Sequence, residues 1–173
     1  WGKINEFEAI EILCKAIENG IDFFDTAQGY NNGKSEKLLG KAIMETKKTA
    51  VVCTKIPLTN EEISNNKIGI EFLKRVEKSL NNLKLSNIDI LLIHNPPDNI
   101  VWKDFNYEVL DNLVEDKIIS TYGVSAKGLR GAKNVVESKV GTVLEWVFNI
   151  FERRPIKELF PALFGPNRRV IGA

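Results

Sequence analysis

Three short apolar runs in this chain each lead into a residue that carries chemistry, and helical segments lie between them. Ile88-Asp89-Ile90-Leu91-Leu92-Ile93 is apolar on both faces except at Asp89, and it runs into His94. A strand without a polar face must be covered on both sides, which is the condition of a strand in a parallel sheet flanked by helices. Ile21-Asp22-Phe23-Phe24 runs into Asp25, with Tyr30 on the loop beyond, and Val51-Val52-Cys53-Thr54 runs into Lys55. Strands joined through helices return parallel, so their C-terminal ends share one edge, where parallel α/β folds place their chemistry. Asp25, Tyr30, Lys55 and His94 are therefore expected to meet there. A carboxylate, a phenol, an ammonium and an imidazole in one place suggest proton transfer.

The same alternation fills the chain. Apolar spacing predicts a helix over Glu8 to Asn19, with Ile12, Leu13, Ala16 and Ile17 on one face and Gly20 as its stop. Ser35 to Met44 reads as a second helix, with Glu36 in its first turn and Leu38, Leu39, Ala42 and Ile43 facing inward. A longer helix follows the polar stretch Asn60 to Lys67, its stripe being Ile70, Leu73, Val76, Leu80 and Leu83. Tyr107 to Asp116, Leu129 to Ser138 and, after Pro155, Ile156 to Leu163 complete the helices. Strands are expected from Ile21 to Phe24, Ala50 to Thr54, Ile88 to Ile93, Ile118 to Val124, Thr142 to Phe148 and Arg169 to Ile171. No repeat, low-complexity tract or linker interrupts the pattern, so residues 1–173 read as a single domain.

At this stage each site residue also has a structural reading. Asp25 before Thr26 suits a turn cap, and Tyr30 beside Asn31-Asn32-Gly33 an exposed loop aromatic. Lys55 before Ile56-Pro57 suits a solvated strand end, and His94 a hydrogen-bonded one. Cys14 and Cys53 are far apart and lie in apolar surroundings, so they read as small core residues and not as a disulfide or metal pair. Lys127, Arg130, Arg168 and Arg169 read as solvated surface, and no Gly-x-Gly-x-x-Gly offers a dinucleotide turn.

The ordered set of motifs resembles the aldo-keto reductases. The resemblance is carried by Gly20-Ile21-Asp22-Phe23-Phe24-Asp25-Thr26-Ala27, by Tyr30, and by Gly33-Lys34-Ser35-Glu36-Lys37-Leu38-Leu39-Gly40. It continues through Thr54-Lys55, Leu92-Ile93-His94-Asn95-Pro96-Pro97, Gly123-Val124-Ser125 and Asn149-Ile150-Phe151-Glu152-Arg153-Arg154-Pro155. It implies a TIM-type (β/α)8 barrel that reduces an aldehyde or ketone with hydride from NADPH. Tyr30 is then the proton donor, Lys55 and Asp25 tune it, and His94 orients the carbonyl. A phenol titrates near about 10, and an adjacent ammonium favours the phenolate, which is the part the resemblance gives Lys55. Ser125, Asp25 and Glu145 fall at cofactor-binding positions. Relatives commonly carry Gln where Glu145 stands, so an amide donor becomes an acceptor-only carboxylate. Trp1, Trp102 and Pro97 are candidates for the pocket lining, with core or surface roles as the alternative.

A complete (β/α)8 barrel needs about 250 residues, whereas this chain has 173. The expectation is an incomplete barrel that lacks the opening strand and the C-terminal strand and helices, with open sheet edges available for self-association. The segment that grips the cofactor's adenosine phosphate is expected to be absent. Three readings follow: a reductase; a truncated, catalytically silent relative acting as a binding or assembly module; and a Schiff-base lyase using Lys55, which pairing with Asp25 disfavours. Lys+Arg of 24 against Asp+Glu of 23 gives a net charge of +1, which argues against nucleic-acid and membrane-surface partners. No apolar run approaches the roughly 20 residues that span a bilayer, and Trp1-Gly2-Lys3-Ile4-Asn5 does not read as a signal peptide. A reducing, cytoplasmic compartment is expected.

Overall fold

Asn5 starts the first helix, its side chain accepting from the Glu8 amide at 2.8 Å. This helix, α1 (Glu6–Glu18), ends where Gly20 turns left-handed at φ +92°. The computed structural model describes residues 5–163 and 169–172, so Trp1 and Arg168 lie outside the described residues. Strand β1 (Phe23–Asp25), helix α2 (Lys34–Thr46) and strand β2 (Val51–Ile56) follow. The short α3 (Asn60–Ser64) is held by a reciprocal Thr59–Glu62 capping box inside what the sequence suggests is only a polar stretch. Then come α4 (Ile70–Leu83), β3 (Ile88–His94), α5 (Glu108–Glu115), β4 (Ile119–Ala126), α6 (Leu129–Ser138) and β5 (Val143–Trp146). The predicted last helix is broken at Leu159 into α7 (Pro155–Glu158) and α8 (Phe160–Leu163), before β6 (Arg169–Gly172).

All six strands lie parallel in one sheet in the order β1-β2-β3-β4-β5-β6, an α/β architecture that curls into an incomplete barrel with helices outside. Alternation along each strand sorts the side chains. Val52, Ile56, Leu91, Ile93, Val124 and Leu144 face the helices and join Phe72, Val76 and Trp102 in the main core. Each such fully buried side chain contributes about 1.5–3 kcal/mol. Cys53, Ile90, Leu92 and Val143, with Ile171 against them, form a second cluster on the concave face. At Gly123 a Cβ would run into the Val143 backbone, so the β4–β5 approach requires glycine there.

Two helix faces differ from the sequence reading. Ile12 on α1 is 58% exposed, whereas Ile17 is buried as expected and Ala9 is buried with it. On α4, Ile70 (71%) and Leu73 (37%) face solvent, while Phe72, Val76, Ser79, Asn82 and Leu83 are buried. The face of α4 is rotated because it seals polar groups of α2 and of the loop after β1, described below. Trp102 is a core residue at 1% exposure, and Pro97 is exposed. No described helix is long and apolar enough to cross a membrane.

Candidate active site

β1 to β4 extend past the C-terminal ends of their apolar runs and supply site residues there, whereas β5 stops short of the expected Phe148. β2 continues through Lys55, β3 through His94 and β4 through Ser125. The register sets Asp25 opposite Cys53, Lys55 opposite Leu92, His94 opposite Ser125, and Ser125 opposite Glu145. Lys55 and Cys53 are two apart on β2 and so share the concave face, as do Glu145 and Val143 on β5. The C-terminal edge of the sheet thus collects Asp25, Lys55, His94, Ser125 and Glu145, with Tyr30 above it.

Lys55 is the centre of the cluster, fully buried at 0% exposure. Its Nζ donates to both Asp25 carboxylate oxygens at 2.6 Å and to the Thr26 carbonyl at 3.1 Å. Glu145 Oε2 lies 3.5 Å from the same Nζ. Burial alone would lower the lysine's pKa, but the Asp25 bond and the Glu145 charge outweigh it and hold the ammonium above its ordinary range. Glu145 is 5% exposed; its Oε1 accepts from Ser125 Oγ at 2.7 Å, and its Oε2 has no hydrogen-bond donor among the described residues. Burial pushes the Glu145 carboxyl up, against the pull of Lys55 and Ser125. Burial, and then the Asp25 charge, also keep the Cys53 thiol protonated. Asp25, Cys53 and Glu145 bring ligand atoms within 4.8 Å of one another, but the Lys55 ammonium already supplies the positive charge between the two carboxylates.

Tyr30 begins a one-turn 3-10 helix, Tyr30–Gly33, and is 44% exposed. Lys55 Nζ sits 5.4 Å from its ring centroid. The His94 ring packs edge-on against the Tyr30 ring, 5.8 Å between centroids and 80° between planes. His94 is held below the ordinary histidine range, first by burial and then by the Lys55 charge, so its imidazole is neutral near pH 7. The solvated reading of Lys55 is thus excluded. A groove of about 670 Å³ lined by Asp98, Arg130, Lys133 and Arg154 lies elsewhere, and none of the cluster residues lines it.

The profile of the aldo/keto reductase family matches residues 1–173. The chain belongs to this family. Among curated relatives, the uncharacterized oxidoreductase YqkF of Bacillus subtilis is 31% identical over 164 residues, covering 90% of this chain and 52% of that protein. The aldo-keto reductase YhdN of the same organism is 29% identical over 165 residues, covering 93% of this chain and 50% of that protein. An aldo/keto reductase structure from Klebsiella pneumoniae, in complex with NADP and acetate, superposes with a TM-score of 0.79 at 19% identity. That match covers 96% of this chain and 57% of the other. This aldo/keto reductase chain therefore spans about half the length of the curated relatives it matches.

One buried group went unread as such in the sequence. Glu36 is 0% exposed, with Oε1 accepting from Thr54 Oγ1 at 2.7 Å and Oε2 from Asn82 Nδ2 at 2.9 Å. The first turn of α2 also favours its negative charge. The signal was available: Glu36 lies three and four residues before Leu39 and Gly40, both buried, and so shares their face.

Proposed function

We propose that this chain carries the proton-transfer part of a carbonyl-reducing site, with Tyr30 as the proton donor to an aldehyde or ketone oxygen. The observation that carries this reading is the Tyr30 ring within 5.4 Å of the buried Lys55 ammonium and packed edge-on against the His94 ring. As the carbonyl oxygen gains charge, the Tyr30 hydroxyl gives it a proton. The phenolate left behind has the Lys55 ammonium nearby, 5.4 Å from the ring centroid, and Asp25 fixes that charge in place through two short bonds. Neutral His94 has an N–H to donate to the same carbonyl oxygen, which orients the substrate before the proton moves.

A nicotinamide cofactor suits the neighbouring residues. The buried Oε2 of Glu145, 3.5 Å from the Lys55 ammonium, is an acceptor that can take the N–H2 of a carboxamide, and Ser125 and Asp25 stand beside it as further binding residues. NADPH bound there would supply the hydride. The Klebsiella pneumoniae structure, which shares this fold, contains NADP. A second reading is a module that binds without turning over, and the test separates the two.

The test is NADPH titration by fluorescence, followed by carbonyl-dependent NADPH oxidation over a panel of aldehydes and ketones. Saturable binding and turnover are expected, with Tyr30→Phe lowering the rate by about 10²–10⁴-fold while binding is retained. Binding without turnover selects the second reading. A folded chain that neither binds nor oxidises NADPH overturns both.

A further inference from the structure

The turn that carries Tyr30 is held to two neighbouring elements. Asn31, Asn32 and Gly33 follow one another in the left-handed region, at φ 49°, 55° and 82°. Asn and Gly are the residues that adopt this region most readily, and contacts outside the turn add support. Gln28 supplies that support in two directions. Its backbone N–H donates to the carbonyl of Lys55 at 3.1 Å, tying the loop to β2. Its side-chain Nε2 donates to the Arg75 carbonyl at 2.6 Å and to the buried Ser79 hydroxyl at 2.8 Å, tying the loop to α4. Beyond the turn, Asn82 of α4 bonds Glu36, and a Cβ on Gly33 would lie 2.9 Å from Asn82 Nδ2. The turn is therefore pinned to the same helix on both sides.

We infer that Gln28 is a positioning residue for the proton donor: its side chain clamps the Tyr30 turn to α4 and so fixes Tyr30 relative to Lys55 and His94. This rests on the assignment of Tyr30 as the acid. The same clamp explains why α4 turns Ser79 and Asn82 inward and leaves Ile70 and Leu73 in solvent. Gln28 is half-buried, and replacing its side chain leaves its backbone bond to Lys55 in place. The fold is accordingly expected to survive the substitution.

The experiment compares wild type, Gln28→Leu, Ser79→Ala and Tyr30→Phe in the full chain. Proteins labelled with ¹³C in the tyrosine rings report three tyrosines, and Tyr30→Phe identifies the Tyr30 signal. In Gln28→Leu the Tyr30 signal is expected to move toward the free tyrosine position as the ring leaves His94, with Tyr107 and Tyr122 unmoved. Turnover should fall by about 10- to 100-fold at unchanged KM for NADPH, the cost of misplacing a reacting group by about 1 Å. Ser79→Ala should show a smaller change of the same kind. An unmoved Tyr30 signal overturns the clamp, whether or not the chain is active. A moved signal with unchanged turnover, in a protein that Tyr30→Phe inactivates, overturns the positioning role. If wild type itself does not reduce carbonyls, the assignment of Tyr30 fails, and the ring signals alone decide the clamp.

Discussion

Replacing Lys55 by methionine removes the cation shared by Asp25 and Glu145 at the sheet edge, and the structure sets the size of the effect. The Lys55 side chain is 1% exposed, the Asp25 side chain 30% and the Glu145 side chain 6%. Asp25 can recover hydration when the ammonium is lost, whereas Glu145 cannot and keeps only Ser125. Removing one partner of a buried pair costs about 3–5 kcal/mol. For a chain of this length that lowers the unfolding midpoint by roughly 6–20 °C. The Glu145 share is measurable separately. At 3.5 Å an effective dielectric of about 20 gives an attraction of about 5 kcal/mol before desolvation is subtracted. Desolvation reduces it, and a coupling of about 1–3 kcal/mol between Lys55→Met and Glu145→Gln is expected. Urea unfolding of the two single variants, the double variant and wild type at pH 7.5 closes the cycle. A cost for Lys55→Met under about 1 kcal/mol, or strict additivity of the two substitutions, would refute a shared buried cation.

Other outcomes follow from the same geometry. Because the folded-state pKa of His94 is lowered from 6.5, the unfolded chain takes up the proton first, and stability falls as pH drops through about 6.5 toward the folded value. His94→Gln should lack that part of the slope, at most about 1.4 kcal/mol per pH unit, as read from urea midpoints between pH 7.5 and 5. Gly123→Ala would force a Cβ into the Val143 backbone. It should destabilise by at least the upper end of the about 1–3 kcal/mol typical of overpacking. A thermal midpoint within 2 °C or so of wild type, by the scale of about 2–4 °C per kcal/mol, would contradict the close β4–β5 approach.

The meeting of Asp25, Lys55 and His94 at one sheet edge was legible because the first three strands are short apolar runs ending in a polar residue. Those runs understated the strands. Lys55, His94 and Ser125 sit inside the ladder, since hydrogen bonding continues past the point where apolarity stops. The expected face of α4 failed at Ile70 and Leu73, though not at Val76 and Leu83, because apolar spacing assumes that a helix hides its apolar residues. Here Ser79 and Asn82 are hidden to serve Gln28 and Glu36, and Ile70 is exposed as a result. Gln28 carries no sequence signal of its own, because its partners are 47 and 51 residues away. Glu145 was visible as a departure, but its missing donor becomes evident only with the neighbouring strands in place.

The order of strands in the sheet equals their order along the chain, and this has a consequence for how the molecule is built. Every pairing joins strands consecutive in sequence, with paired residues separated by as few as 20 positions (Gly123 and Val143) and at most 37 (Cys53 and Ile90). Loop-closure entropy changes by only about 0.5 kcal/mol across that range. Among the described residues each strand pairs with its sequence neighbours, so each βα unit can dock on the one made just before it. A nascent chain emerging from the ribosome can therefore grow this sheet by accretion, adding one edge at a time in the direction of synthesis.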